Sequence, residues 1–135
     1  MNVEELIQQA TNSLQYSYAP YSNFKVGAAL LTEEGHIYTG CNIENASYTP
    51  TVCAERTAFS KAISEGKKRF VAIAIVGGKD GIITDYCPPC GVCRQTMMEF
   101  CDPKEFQIIL SNSNKEYKSY RLEELLPLGF GPKNL

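Results

Sequence analysis

The chain has 135 residues, 44% hydrophobic and 21% charged, with a formal net charge of −2. That balance fits one globular domain around a single core and excludes a disordered chain. It also excludes a backbone-tracking nucleic-acid binder, because the one basic run, Lys67-Lys68-Arg69, reads as a solvated helix end.

Val3, Leu6, Ile7, Ala10 and Leu14 recur at helical spacing and predict an amphipathic first helix. Pro20 disfavours helix at Ala19, so Tyr18 to Ser22 reads as a loop. Phe24 to Leu31 predicts a strand, Glu33-Glu34-Gly35 a hairpin turn, and His36 to Cys41 the returning strand. A second helix is expected from Cys53 to Glu65, with Gly66 as its cap. Phe70 to Val76 is almost continuously apolar, as a central strand covered on both faces would be. Cys90 to Cys101 predicts a third helix and Phe106 to Leu110 a further strand. Glu116 to Tyr120 reads as an edge strand, and Leu122 to Leu126 as a short helix stopped by Pro127. This order predicts the α/β class, with a mixed central sheet in a three-layer α/β/α sandwich, as one domain over residues 1–135.

No stretch approaches the roughly 20 apolar residues of a membrane span, and the acidic start MNVEELIQQA lacks the order of a signal peptide. The expected setting is the cytoplasm, where thiols stay reduced, so the six cysteines call for a role other than disulfides. Cys53-Ala54-Glu55 and Pro89-Cys90-Gly91-Val92-Cys93 supply one. Structural zinc usually has four protein ligands, whereas catalytic zinc keeps a position open for water. Cys90 and Cys93, at i and i+3, share one helix face, and Cys53 heads a different helix, so three thiols converge with Glu55 beside them.

Two helix amino termini would offset part of the negative charge of a three-thiolate site, each by about 0.3–1 kcal/mol. They would also favour the thiolate over the thiol. Zinc lowers the pKa of bound water from about 15.7 to about 7, and Glu55 is placed to take up a proton there. Taken alone, a first-turn glutamate only complements the helix dipole. Arg56 and Arg94 each adjoin this set, and either guanidinium can donate hydrogen bonds to thiolates. Arg56 is the stronger candidate for compensating thiolate charge. Arg94 reads equally well as half of a surface ion pair.

Two alternatives stay open. Cys87-Pro88-Pro89-Cys90 overlaps Cys90-Gly91-Val92-Cys93 as a pair of C-x-x-C motifs, which fits a redox protein. Cys87 could also complete a closed, structural four-thiolate site. Cys41 and Cys101 lie in no motif and read as buried, inert thiols. His36 beside the hairpin turn reads as solvent-facing.

The segments YAPYSNFKVGAALL (Tyr18 to Leu31), GCNIENASY (Gly40 to Tyr48), CAERTA (Cys53 to Ala58), PCGVCRQ (Pro89 to Gln95) and ELLPLGF (Glu124 to Phe130) together resemble the small cytidine deaminases. Their order and spacing match over nearly the whole chain. The resemblance implies a zinc-dependent hydrolase with one Zn2+ per subunit, bound by Cys53, Cys90 and Cys93. It would convert cytidine or 2′-deoxycytidine to the uracil nucleoside and ammonia in pyrimidine salvage, with Glu55 passing protons at N3 and the leaving amino group.

The same resemblance implies substrate contacts. Asn42 and Glu44 would bind ribose hydroxyls, Phe24 would lie near the nucleoside, and the Ala54 amide would contact the base. Ala46, Tyr48 and Phe130 would serve sites shared between the subunits of a homotetramer. The expected partner is therefore a free pyrimidine nucleoside, with no nucleic acid and no membrane. A related expectation is deamination of a nucleoside antibiotic such as blasticidin, since those enzymes share the C-A-E and P-C-G-x-C-R-Q elements. Polynucleotide editing is opposed by the acidic balance, and a non-enzymatic zinc module leaves Glu55 idle. The stretch GIITDYCPP before Cys90 departs from the family and brings Cys87 near the metal set.

Overall fold

The computed structural model describes all of residues 1–135. Helix α1 (Val3–Ser13) begins where the Asn2 side chain accepts a hydrogen bond from the Glu5 amide at 3.0 Å. Strands β1 (Phe24–Thr32) and β2 (Ile37–Cys41) form the expected hairpin. They are followed by α2 (Ala54–Ser64), β3 (Phe70–Lys79), α3 (Gly91–Phe100), β4 (Gln107–Ser111), β5 (Tyr117–Arg121) and α4 (Leu122–Leu125). Short 3-10 turns at Leu14–Tyr16 and Pro132–Asn134 complete the chain. No helix is long and apolar enough to cross a membrane.

The sheet runs β2-β1-β3-β4-β5, with β3 and β4 parallel and every other pair antiparallel. The parallel pair requires a crossover, which α3 provides. Alternate residues of each strand feed opposite cores. Ala28, Leu30, Ile73, Ile75, Ile108 and Leu110 pack against α2 and α3 through Ala58, Phe59, Cys93 and Met97. Ala29, Ala72, Ala74, Val76 and Ile109 pack against Leu6, Ala10 and Leu14 of the amino-terminal segment. The result is the expected three-layer sandwich around a mixed sheet.

Two glycines of the hairpin set how closely the helices approach. A methyl group at Gly27 would lie 2.1 Å from the Ala10 carbonyl oxygen of α1. At Gly40 it would meet the Ala54 carbonyl oxygen at 2.3 Å and the Ala58 nitrogen at 2.6 Å, in the first turns of α2. Gly40 thus lets the start of α2 lie directly on the sheet. Thr57 fastens it there, its Oγ1 donating to the Cys41 carbonyl at 3.0 Å.

The structure moves several boundaries. Cys53 and Cys90 stand just outside α2 and α3 as N-caps with extended backbone, one residue before each helix begins. Strand β3 continues past Val76, because Gly77, Gly78 and Lys79 pair with Val26, Lys25 and Phe24. The apolar run stops at Val76, but the backbone ladder does not. That extension forms part of the scaffold behind the site.

Candidate metal centre and active site

The metal end is built from two helix starts. Cys53 caps α2, Cys90 caps α3, and Cys93 sits in the first turn of α3. Their sulfur atoms all lie within 4.8 Å of one another, and the Cys53 and Cys90 sulfurs are 3.6 Å apart. Tetrahedral zinc with Zn–S bonds of about 2.3 Å needs sulfurs roughly 3.8 Å apart, so the donor set fits that ion. Cys87 is not part of this cluster. Its side chain packs toward β3, where a methyl group at Gly77 would come within 2.9 Å of its sulfur. Burial pushes the Cys87 thiol up to about 12, with the nearby Glu55 and Cys53 charges adding to the effect. The three-thiol set therefore stands apart from a closed four-thiol arrangement.

The charges around the sulfurs are unequal. The Cys53 thiol is lowered to about 5, chiefly by hydrogen bonding from Cys93 and then from Arg56 and Cys90. Cys93, buried and facing that thiolate, is pushed far up. Arg56 Nη2 lies 3.6 Å from the Cys53 sulfur and 3.4 Å from the Thr51 carbonyl oxygen. Its Nε is buried with no protein partner. The guanidinium thus bridges the Cys53 sulfur and the Thr51 carbonyl. Arg94 does not. It donates from Nε to the Pro89 carbonyl at 2.8 Å and from Nη1 to the Leu125 carbonyl at 2.7 Å, so it is neither a thiolate partner nor half of an ion pair.

Glu55 lies in the first turn of α2 and is only 4% exposed. Burial, helped by the nearby Cys53 charge and opposed by hydrogen bonds and Arg56, raises its carboxyl to about 7. A carboxyl group in that range can both accept and return a proton at neutral pH.

A cavity of about 320 Å³ opens in front of this cluster, lined among others by Phe24, Val26, Asn42, Glu44, Ala54 and Glu55. Cys53, Cys87, Pro88 and Cys90 complete its metal end. A second cavity of about 370 Å³ adjoins it, sharing Ser22, Glu44 and Thr51 and extending to Tyr21, Asn45 and Tyr48.

The description "Cytidine and deoxycytidylate deaminase zinc-binding region" belongs to a family model that matches residues 1–109. The chain belongs to the cytidine deaminase family. It is 44% identical over 135 residues to the cytidine deaminase of Sporosarcina psychrophila, covering 100% of this chain and 96% of that one. It is 46% identical over 139 residues to a probable cytidine deaminase of Dictyostelium discoideum, covering 100% and 90%. The crystal structure of cytidine deaminase from Burkholderia pseudomallei superposes with a TM-score of 0.88 at 42% identity, covering 96% of this chain and 100% of that one. The chain is accordingly an enzyme of the zinc-binding deaminase family, and its cysteine trio fits zinc.

The remaining residues expected at the site divide into three groups. Phe24, Asn42, Glu44 and Ala54 line the cavity. Tyr48 borders the adjoining one, in a left-handed backbone conformation with φ 63°. Ala46 and Phe130 line neither. Phe130 is 58% exposed, and its carbonyl accepts a 2.7 Å hydrogen bond from Gln95 Nε2 on α3. Asn42 is heavily used within the chain. Its Oδ1 accepts from the Val26 amide at 2.9 Å and from Ser17 Oγ, while Nδ2 donates to the Phe24 carbonyl at 2.7 Å. Glu44 accepts from the Tyr21 amide at 2.9 Å, the Ser22 amide at 3.1 Å and Ser22 Oγ. Sequence reasoning passed over Ser17 and Ser22; no motif marks a serine whose partner lies more than 20 residues along the chain. Cys41 and Cys101 are half-buried rather than buried, and burial raises both thiols. His36 is exposed, as expected.

Proposed function

We propose that this enzyme hydrolyses the 4-amino group of free cytidine and 2′-deoxycytidine, releasing ammonia and the uracil nucleoside. The observation that carries this reading is the buried Glu55 carboxyl beside an open three-thiol cluster, at the inner end of a cavity whose outer end holds Glu44. One zinc ion per subunit, held by Cys53, Cys90 and Cys93, would supply a Lewis-acid centre that lowers the pKa of bound water to about 7.

The chain's own groups do the rest. Glu55 takes a proton from the attacking water and delivers it to N3 as the C4–O bond forms. It then carries the remaining hydroxyl proton to the amino nitrogen, the C4–N bond breaks, and ammonia leaves. Arg56 holds the thiolates' charge in check. The Ala54 amide and Phe24 border the base, and Asn42 and Glu44 bind the sugar. An ionised carboxylate is acceptor-only, so it matches a hydroxyl donor and opposes a phosphate.

Ala46, Tyr48 and Phe130 are assigned to sites completed by neighbouring subunits of a homotetramer. Their exposed positions away from the metal end are consistent with that role. The setting proposed is cytoplasmic pyrimidine salvage.

A substrate panel with zinc quantified on the same sample tests this. Ultraviolet absorbance should fall with cytidine and deoxycytidine, and far less with cytidine monophosphate, free cytosine or a blasticidin-type antibiotic. Equal turnover of the monophosphate would remove the sugar-binding role of Glu44. Preference for the antibiotic would replace the substrate class.

A further inference from the structure

We propose that Ser22 is a positioning residue for Glu44: it fixes the carboxylate to accept a sugar hydroxyl and so sets discrimination between hydroxylated and deoxygenated nucleosides. The inference rests on the nucleoside reading above and deepens its sugar end.

The loop before β1 runs alongside the segment after β2. The Tyr18 amide donates to the Asn42 carbonyl at 3.0 Å, and the Glu44 amide donates to the Tyr18 carbonyl at 2.8 Å. This pairing brings Ser22 against Glu44. The Ser22 hydroxyl has a defined direction, because its oxygen accepts the Phe24 amide at 3.0 Å, leaving its proton for Glu44 Oε2. The Ser22 and Tyr21 amides donate to the other oxygen, Oε1. Both carboxylate oxygens are thus held by one turn, on a side chain that would otherwise rotate freely at a partly exposed site.

Three donors leave part of the carboxylate's capacity of about four acceptor sites unfilled. Glu44 lines the cavity, so what completes it is a donor from the ligand. Asn42 has less to offer, since Oδ1 already accepts from Val26 and Ser17 and one Nδ2 hydrogen serves Phe24, leaving its second amide hydrogen for the sugar. Ser22 hydrogen bonding also holds the Glu44 carboxyl below its ordinary range, which keeps it an acceptor.

The test compares cytidine with 2′,3′-dideoxycytidine, which lacks both ring hydroxyls, in the zinc-loaded enzyme. Ser22→Ala should raise KM for cytidine about tenfold, the scale of a lost hydrogen bond to a charged group, with kcat and zinc content nearly unchanged. KM for the dideoxy substrate should stay where it is. Ser22→Thr, which keeps the hydroxyl, should restore the cytidine KM, and the near-isosteric Ser22→Val should not; this pair also serves if Ser22→Ala folds poorly. Equal KM changes for both substrates, or none for either, would overturn the role of Ser22 while leaving the sugar-binding reading intact. A wild-type enzyme that handles both substrates equally would overturn both.

Discussion

At the metal end of the cavity, each functional group is set by a helix start; at the sugar end, Glu44 is set by a loop and Asn42 by that loop together with strand β1. Cys53, Cys90, Cys93 and Glu55 take their positions from the first turns of α2 and α3, and Gly40 and Thr57 lock α2 to the sheet. Asn42 and Glu44 are held by serine hydroxyls and backbone amides of the loop before β1. Beyond them, Tyr48 is 73% exposed and Phe130 58% exposed. The difference teaches that chemistry and recognition are separable in this fold. The three sulfurs and the buried Glu55 come together within one chain, whereas the proposed sugar end is built around a loop with exposed aromatics beyond it.

Substitutions at the two ends should therefore fail in different ways. Arg56→Ala, at the metal end, should lower kcat on the order of 10–100-fold, the usual cost of losing a partner of the metal ligands. Metal analysis should show zinc largely retained; loss of zinc with the rate per bound ion unchanged would make Arg56 a structural clamp. Phe130→Ala should act on recognition, raising KM about tenfold through lost aromatic contact with zinc unaffected. A fall in kcat at unchanged KM would break the division between the two ends. The smallest effect is expected for Cys87→Ser, whose zinc content and rate should stay within about twofold because its sulfur stands outside the three-thiol cluster. Zinc loss there would place Cys87 among the ligands and close the open position.

The metal end was largely legible in the sequence, because ligand spacing is local. Cys90 and Cys93 are one helical turn apart, and Cys-Ala-Glu carries its carboxylate with it. The order of helices and strands likewise predicted the three layers around a mixed sheet. What could not be read was direction and distance. Arg94 adjoins Cys93 in sequence, yet consecutive helical residues point to different sides. Its guanidinium instead reaches the carbonyls of Pro89 and Leu125, joining the start of α3 to the end of α4. The end of β3 was missed because Gly77 and Gly78 carry no apolar signal, although their backbone pairs with Val26 and Lys25. The serines that hold Asn42 and Glu44 were invisible for a third reason: their partners lie 25 and 22 residues away and meet only once the hairpin has formed.

The central claim is that an open three-thiolate zinc site works with Glu55 as its proton carrier. Its most direct test is turnover of cytidine by Glu55→Gln, with zinc measured on the same sample. The variant should keep its zinc and lose on the order of 10²–10⁴-fold in kcat, the range of a general acid–base group. Turnover near the wild-type rate with zinc in place would contradict the account.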